Sequence, residues 1–185
     1  MASSSRSRHQ SSKKASDCPD IVACVFEQKK NTLLKEINNG KFGRVIAIFH
    51  TIEFQKCCLP HMHCLIFLHP DDKICDTNQV DNFVSAQLPD PIENPLLYET
   101  ITTCMLHGPC GDKNVTHLAW SMESVASNYP KQFNEHTIYG ENSYPQYARP
   151  NNGHTVEKNN NIYNNQNVIP YHPDTSARLV PIFFI

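Results

Sequence analysis

Arg44-Val45-Ile46-Ala47-Ile48-Phe49-His50-Thr51-Ile52-Glu53-Phe54, then Leu59-Pro60-His61-Met62-His63-Cys64-Leu65-Ile66-Phe67-Leu68-His69, are the two stretches whose reading decides the fold. Both are rich in β-branched and aromatic residues, which suit a pleated, half-buried surface. Between them lies Gln55-Lys56-Cys57-Cys58, short enough for an antiparallel hairpin. His69-Pro70-Asp71-Asp72 closes the second run with turn chemistry.

Upstream, Pro19-Asp20 is a helix-start signal. Ile21, Val22, Val25, Phe26, Leu33, Leu34 and Ile37 follow at helical spacing, and Asn38-Asn39-Gly40 supplies a left-handed stop. The pattern predicts an amphipathic helix over roughly 20–38. Downstream, two further helical pieces are expected around Val80–Ser85 and Pro95–Met105, separated by Pro89-Asp90-Pro91. Beyond His107-Gly108-Pro109-Cys110-Gly111 the chain turns proline-, asparagine- and tyrosine-rich. Irregular loops are expected there, with short strands near Thr155-Val156 and Asn167–Pro170 and a mobile turn over the Asn-rich stretch 159–167. There is no internal repeat. The expected class is α+β: an antiparallel sheet with flanking helices and an irregular C-terminal half.

The 185 residues suffice for one domain, although a hydrophobic fraction of 39% is somewhat low for a compact one. Residues 1–16 are serine-rich and basic and read as a disordered tail. They lack the apolar core of a secretory signal, and no apolar run approaches the roughly 20 residues of a membrane span. A nuclear or cytoplasmic protein, not a secreted one, is expected. On that reading the eight cysteines are reduced thiols, with Cys24 and Cys64 in apolar segments as core residues. The formal charge of −2 hides an asymmetry: Arg6, Arg8, Lys13 and Lys14 carry the tail, leaving twelve basic against eighteen acidic residues elsewhere. A global basic footprint of the kind that dominates nucleic-acid affinity is therefore absent.

Strand alternation gives the hairpin its chemistry. Residues i and i+2 share a face, so His61 and His63 point the same way and Met62 the other. On the paired strand Glu53 and Gln55 share a face and can supply an oxygen ligand. Two imidazoles with one carboxylate or amide leave open positions for water and a phosphate oxygen, which suits Mg²⁺ or Mn²⁺. A solvent-facing histidine pair has the same spacing, so the motif alone does not separate the two readings.

The segment Glu53-Phe54-Gln55-Lys56-Cys57-Cys58-Leu59-Pro60-His61-Met62-His63 resembles the E-F-Q-K-R-G-L-P-H-x-H signature of Helitron-type transposases. Pro19-Asp20-Ile21-Val22-Ala23-Cys24-Val25-Phe26 resembles the family's helix start, and Phe42-Gly43-Arg44-Val45 its strand entry. Further on, Pro89-Asp90-Pro91, His107-Gly108-Pro109-Cys110-Gly111, Tyr129-Pro130-Lys131-Gln132-Phe133, Asn152-Gly153-His154-Thr155-Val156 and Val168-Ile169-Pro170-Tyr171 resemble family segments in order. The resemblance spans residues 17–173, with 174–185 a diverged tail. It implies the replication-initiator (HUH endonuclease) domain, which begins rolling-circle transposition by nicking one DNA strand. Carried over, His61 and His63 are metal ligands, Glu53 or Gln55 is the third, and a tyrosine is the covalent nucleophile.

Several departures temper that implication. The family's paired tyrosines lie C-terminal to the V-V-P-Y region; here Tyr163 and Tyr171 remain, neither in the two-tyrosine motif. The resemblance, which starts at residue 17, includes no counterpart of the strand that the family places ahead of Pro19. Cys57-Cys58 replaces an Arg-Gly turn, and Arg149 stands alone where the family is arginine-rich. Of a small zinc site only Cys104, His107 and Cys110 persist, fewer than the four ligands a closed site needs. The expectation is a truncated domain that keeps the His-x-His cradle and weak single-stranded DNA binding without efficient nicking. The alternatives are a working nuclease using a local tyrosine or a metal-activated water, and a non-catalytic DNA- or protein-interaction remnant.

Overall fold

A computed structural model describes residues 17–54, 60–108, 129–140 and 144–179. The expected basic tail over 1–16, the turn at Gln55–Cys58 and Cys110 lie outside the described residues. The chain divides into two compact units, one reaching to His69 and one beginning at Pro70. The class is α+β, as the alternation of helical and strand patterns predicts.

The first unit is a helix and a hairpin. Helix α1 spans Pro19–Asn38, with Pro19 in its first turn, Asp20 favourably near its positive end and Lys35 in its last turn. Its half-buried face is Val22, Val25, Phe26, Leu33 and Leu34, completed by the buried Ile37, while Ile21 is exposed. Cys24 is exposed as well, which corrects its expected place in the core: one residue either side of a helical stripe rotates the side chain off it. Gly40, at φ +88°, ends the helix and its amide donates to the Ile37 carbonyl at 3.0 Å.

Strands β1 (Val45–Phe54) and β2 (Pro60–Leu68) pair antiparallel, with Glu53 opposite His61, Thr51 opposite His63 and Phe49 opposite Leu65. A bulge between Val45 and Ala47 shifts the register by one. Burial alternates strictly along β2, and α1 packs against this strand. Met62, Cys64, Ile66 and Leu68 form the more buried side, and burial pushes the Cys64 thiol pKa up. The opposite side leaves Phe49, Leu65 and Phe67 exposed, the two phenyl rings meeting edge to face at 5.8 Å.

In the second unit, α2 (Thr77–Phe83) begins with a capping box. The Asp76 carboxylate accepts from Asn78 N–H, and the Gln79 side chain accepts in return from Asp76 N–H. Helix α3 (Pro95–Cys104) follows the turn at Asp90, whose carboxylate accepts from the amides of Ile92 and Glu93. Short hairpins follow: β3 (Ile138–Tyr139) with β4 (Pro145–Gln146), and β5 (Val156–Lys158) with β6 (Asn161–Tyr163). Helix α4 (Pro173–Leu179) gives regular structure to part of the expected diverged tail. The core is Leu88, Ile101, Val168 and Tyr171, with Leu97, Met105, Leu106 and Val156 against it.

The Asn-rich stretch departs most from expectation. Asn159 and Asn160, at φ +52° and +60°, make the tight turn between β5 and β6, where asparagine tolerates a left-handed backbone. The strand expected over Asn167–Pro170 is displaced to β6, and Val168 makes only an isolated bridge with Leu106. Asn165 and Asn167 are buried, not part of a mobile turn. The Asn165 side chain accepts from Leu88 N–H at 2.8 Å and donates to Pro150 O at 2.8 Å, while Asn167 donates to His107 O at 3.1 Å. Buried amides are tolerated here because each is hydrogen-bonded to a distant backbone group.

Candidate functional site

The β1–β2 register brings three of the four expected ligands together. Glu53 and His61 are cross-strand partners, and His63 lies one alternation further along the same face. The Nε2 of His63 lies 2.8 Å from Glu53 Oε1, and the His61 and His63 rings sit with centroids 4.8 Å apart at 64°. The paired His63 and Glu53 side chains are 60% and 58% exposed, so the cluster is open to ions and to larger ligands. Gln55, the fourth expected ligand, lies outside the described residues.

The donor types suit a divalent cation: two imidazoles and one carboxylate, with room for outside oxygen ligands. Their arrangement is a hydrogen-bonded cluster. Among the described residues no group of three or more His, Cys, Asp or Glu side chains is disposed around a common point. Glu53 spends an acceptor oxygen on His63, and that contact must open for both to reach one ion.

The tyrosines are placed less favourably for attack. Tyr171 is buried, its hydroxyl donates to Gln87 O at 2.9 Å, and burial raises its pKa. A nucleophilic phenol needs the reverse: access, and a lowered or base-assisted proton. Tyr163 ends β6 and is half-buried.

Arg149 changes role most clearly. The sequence leaves it standing alone where the resembling family is arginine-rich, yet it is 3% exposed. Its Nη1 donates to the carbonyls of Asn165 at 2.5 Å and Val168 at 2.8 Å, and the guanidinium lies 6.0 Å from the Tyr129 ring centre. Burial lowers its pKa, opposed by Tyr129. It ties three segments of the second unit together and faces no solvent. His107 is also occupied, stacked on Tyr129 at 4.5 Å and 10°, with Nδ1 2.6 Å from Gly108 O. Cys104 is half-buried, and burial raises its thiol pKa. The sequence carries no signal for the Arg149–Asn165 pairing, because both residue types are ordinarily solvent-facing.

No helix among the described residues is long and apolar enough to cross a membrane. No curated protein matches the chain. Residues 3–66 match the family model described as the Helitron helicase-like domain at the N-terminus, a stretch that takes in α1, β1 and most of β2 with Glu53, His61 and His63. The segments from Pro89 to Tyr171 that resemble the same family lie beyond the matched residues. Over residues 3–66 the chain is similar to part of that Helitron helicase-like domain.

Proposed function

We propose that the β1–β2 face is an HUH-type cradle that holds Mg²⁺ or Mn²⁺ through His61, His63 and Glu53 and engages single-stranded DNA without efficient nicking. The observation that carries this reading is the convergence of two imidazoles and one carboxylate on a single exposed face, with His63 and Glu53 already 2.8 Å apart. Gln55 is the alternative oxygen donor. When bound, the cation supplies Lewis acidity toward a phosphate oxygen and fixes its orientation. The protein's own part is to present the ring nitrogens from a hairpin held in register and to leave the outer side of the site open. Tyr171 is withdrawn as a nucleophile by its burial and its bond to Gln87, so binding without cleavage is the outcome that its geometry favours.

A non-catalytic interaction role is the second reading. The Glu53–His63 hydrogen bond favours it, since that contact satisfies both side chains without an ion. Calorimetric titration with Mn²⁺ separates the two. Saturable heat lost in His61→Ala/His63→Ala supports the cradle, and equal, negligible heat from both proteins rejects it. Where binding holds, cleavage of a labelled single strand in Mn²⁺, abolished by His61→Ala, would reject the non-nicking part of the reading.

A further inference from the structure

The sequence contains two Asn-Gly pairs, Asn39-Gly40 and Asn152-Gly153, and the fold places them in opposite chemical settings. An asparagine followed by glycine can cyclise, because glycine leaves the attacking backbone nitrogen uncrowded. Whether it does depends on what holds the amide, what holds the nucleophile, and what receives the leaving ammonia.

At Asn152 the amide oxygen and the leaving nitrogen both have partners, and the glycine that follows is uncrowded. Its Oδ1 accepts from His154 N–H at 3.1 Å and from the Asn165 side-chain amide at 3.3 Å. Two donors on one carbonyl oxygen polarise Cγ and are in place for the oxyanion that forms when Cγ is attacked. Asn165 is 1% exposed and fixed by Leu88 and Pro150, so this donor is pre-positioned. The amide nitrogen that must leave, Nδ2, lies 3.5 Å from the Nδ1 of His154. Gly153 sits at φ +76°, and a side chain there would meet nothing within 4 Å. Residues 152–154 are exposed, so water reaches the site.

At Asn39 the setting is different. The Gly40 amide is committed to the Ile37 carbonyl at 3.0 Å in the helix end, and Asn39 N–H to Lys35 O at 3.0 Å. The nucleophile there must first break out of the cap.

We propose that Asn152 is a self-modifying residue, converted to aspartate or isoaspartate by its own loop with His154 as the proton-relaying group. The Gly153 nitrogen adds to Asn152 Cγ, and a C–N bond forms as the Cγ–Nδ2 bond breaks. The Gly153 amide proton passes through the His154 ring to the departing nitrogen, which leaves as ammonia. Water then opens the five-membered imide to one of the two acids. The aspartate product keeps both donors, His154 N–H and the Asn165 amide, now bonded to a carboxylate. The isoaspartate product lengthens the backbone and pulls that carboxylate off the Asn165 amide.

The test follows amide-to-acid conversion at both pairs by peptide mass spectrometry in the intact chain, its His154→Ala variant, and the chain held unfolded in urea. Conversion at Asn152 is expected to exceed that at Asn39 by roughly tenfold in the folded chain. It should slow by about tenfold in His154→Ala, less than the roughly 10²–10⁴-fold that a fully positioned proton-transfer group contributes. In urea the two pairs should react at similar rates. Faster conversion at Asn39, or an unchanged Asn152 rate in a folded His154→Ala protein, overturns the proposal. So does a folded-state preference for Asn152 that persists in urea. Should His154→Ala fail to fold, the folded-against-unfolded comparison of the natural chain decides alone.

Discussion

His63 and Glu53 meet across the β1–β2 hairpin with Nε2 2.8 Å from Oε1, although they are diagonal and not directly opposed in the register, where His61 is the partner of Glu53. The carboxylate therefore lies within reach of both imidazole-bearing positions, and metal binding must compete with an existing hydrogen bond. Glu53→Gln is expected to weaken Mn²⁺ binding by at least about tenfold in calorimetry, since even outer-sphere partners contribute that much. The melting curve should barely change, because an exposed pair of this kind contributes about 0.5 kcal/mol or less. Unaltered Mn²⁺ affinity would remove Glu53 from the site.

Arg149 supports the second unit from inside. Arg149→Met should cost about 2–4 kcal/mol in urea unfolding, because the carbonyls of Asn165 and Val168 lose their donor while buried. Its effect on single-stranded DNA affinity should be small once the folded fraction is matched. A selective loss of DNA affinity at wild-type stability would return Arg149 to the role its sequence context suggests.

Tyr171 and Tyr147 both have pKa values raised above the ordinary tyrosine value of 10.0 by burial. The unfolded chain therefore releases these protons at lower pH than the folded one. Their contribution to stability is complete below about pH 10 and falls as pH rises through the unfolded value toward the folded ones. Tyr171→Phe combined with Tyr147→Phe should flatten this alkaline limb in pH-dependent melts. The first change alone should also cost about 1 kcal/mol at neutral pH, for the lost bond to Gln87. An equally steep alkaline limb in the double variant would contradict the assignment.

Phe49 and Phe67 make an exposed aromatic pair on the histidine face. Replacing both with threonine keeps the strand propensity and should cost at most about 1 kcal/mol, the upper range for a cross-strand pair. Because exposed apolar surface promotes association, the variant should also elute less concentration-dependently in size-exclusion chromatography. A large loss of stability would mean that the pair is shielded in the folded chain.

The sequence by itself determined the first unit. A 3.6-residue stripe from Val22 to Ile37 and two alternating runs flanking a short connection leave little freedom, because a strand out of register would turn every side chain to the wrong face. The same alternation puts His61 and His63 on one surface of their strand, and the hairpin register brings Glu53 to it. In the second unit the sequence indicated α2, α3 and the strand at Val156, and only the tertiary structure decided its interior. There Arg149, Asn165 and Asn167 sit inside, each held by backbone groups from distant segments, and Tyr171 is buried with its hydroxyl on Gln87. Local pattern encodes which face of an element is apolar. A buried polar group is stabilised by partners far away in sequence, so its burial becomes visible only when the chain has brought them together.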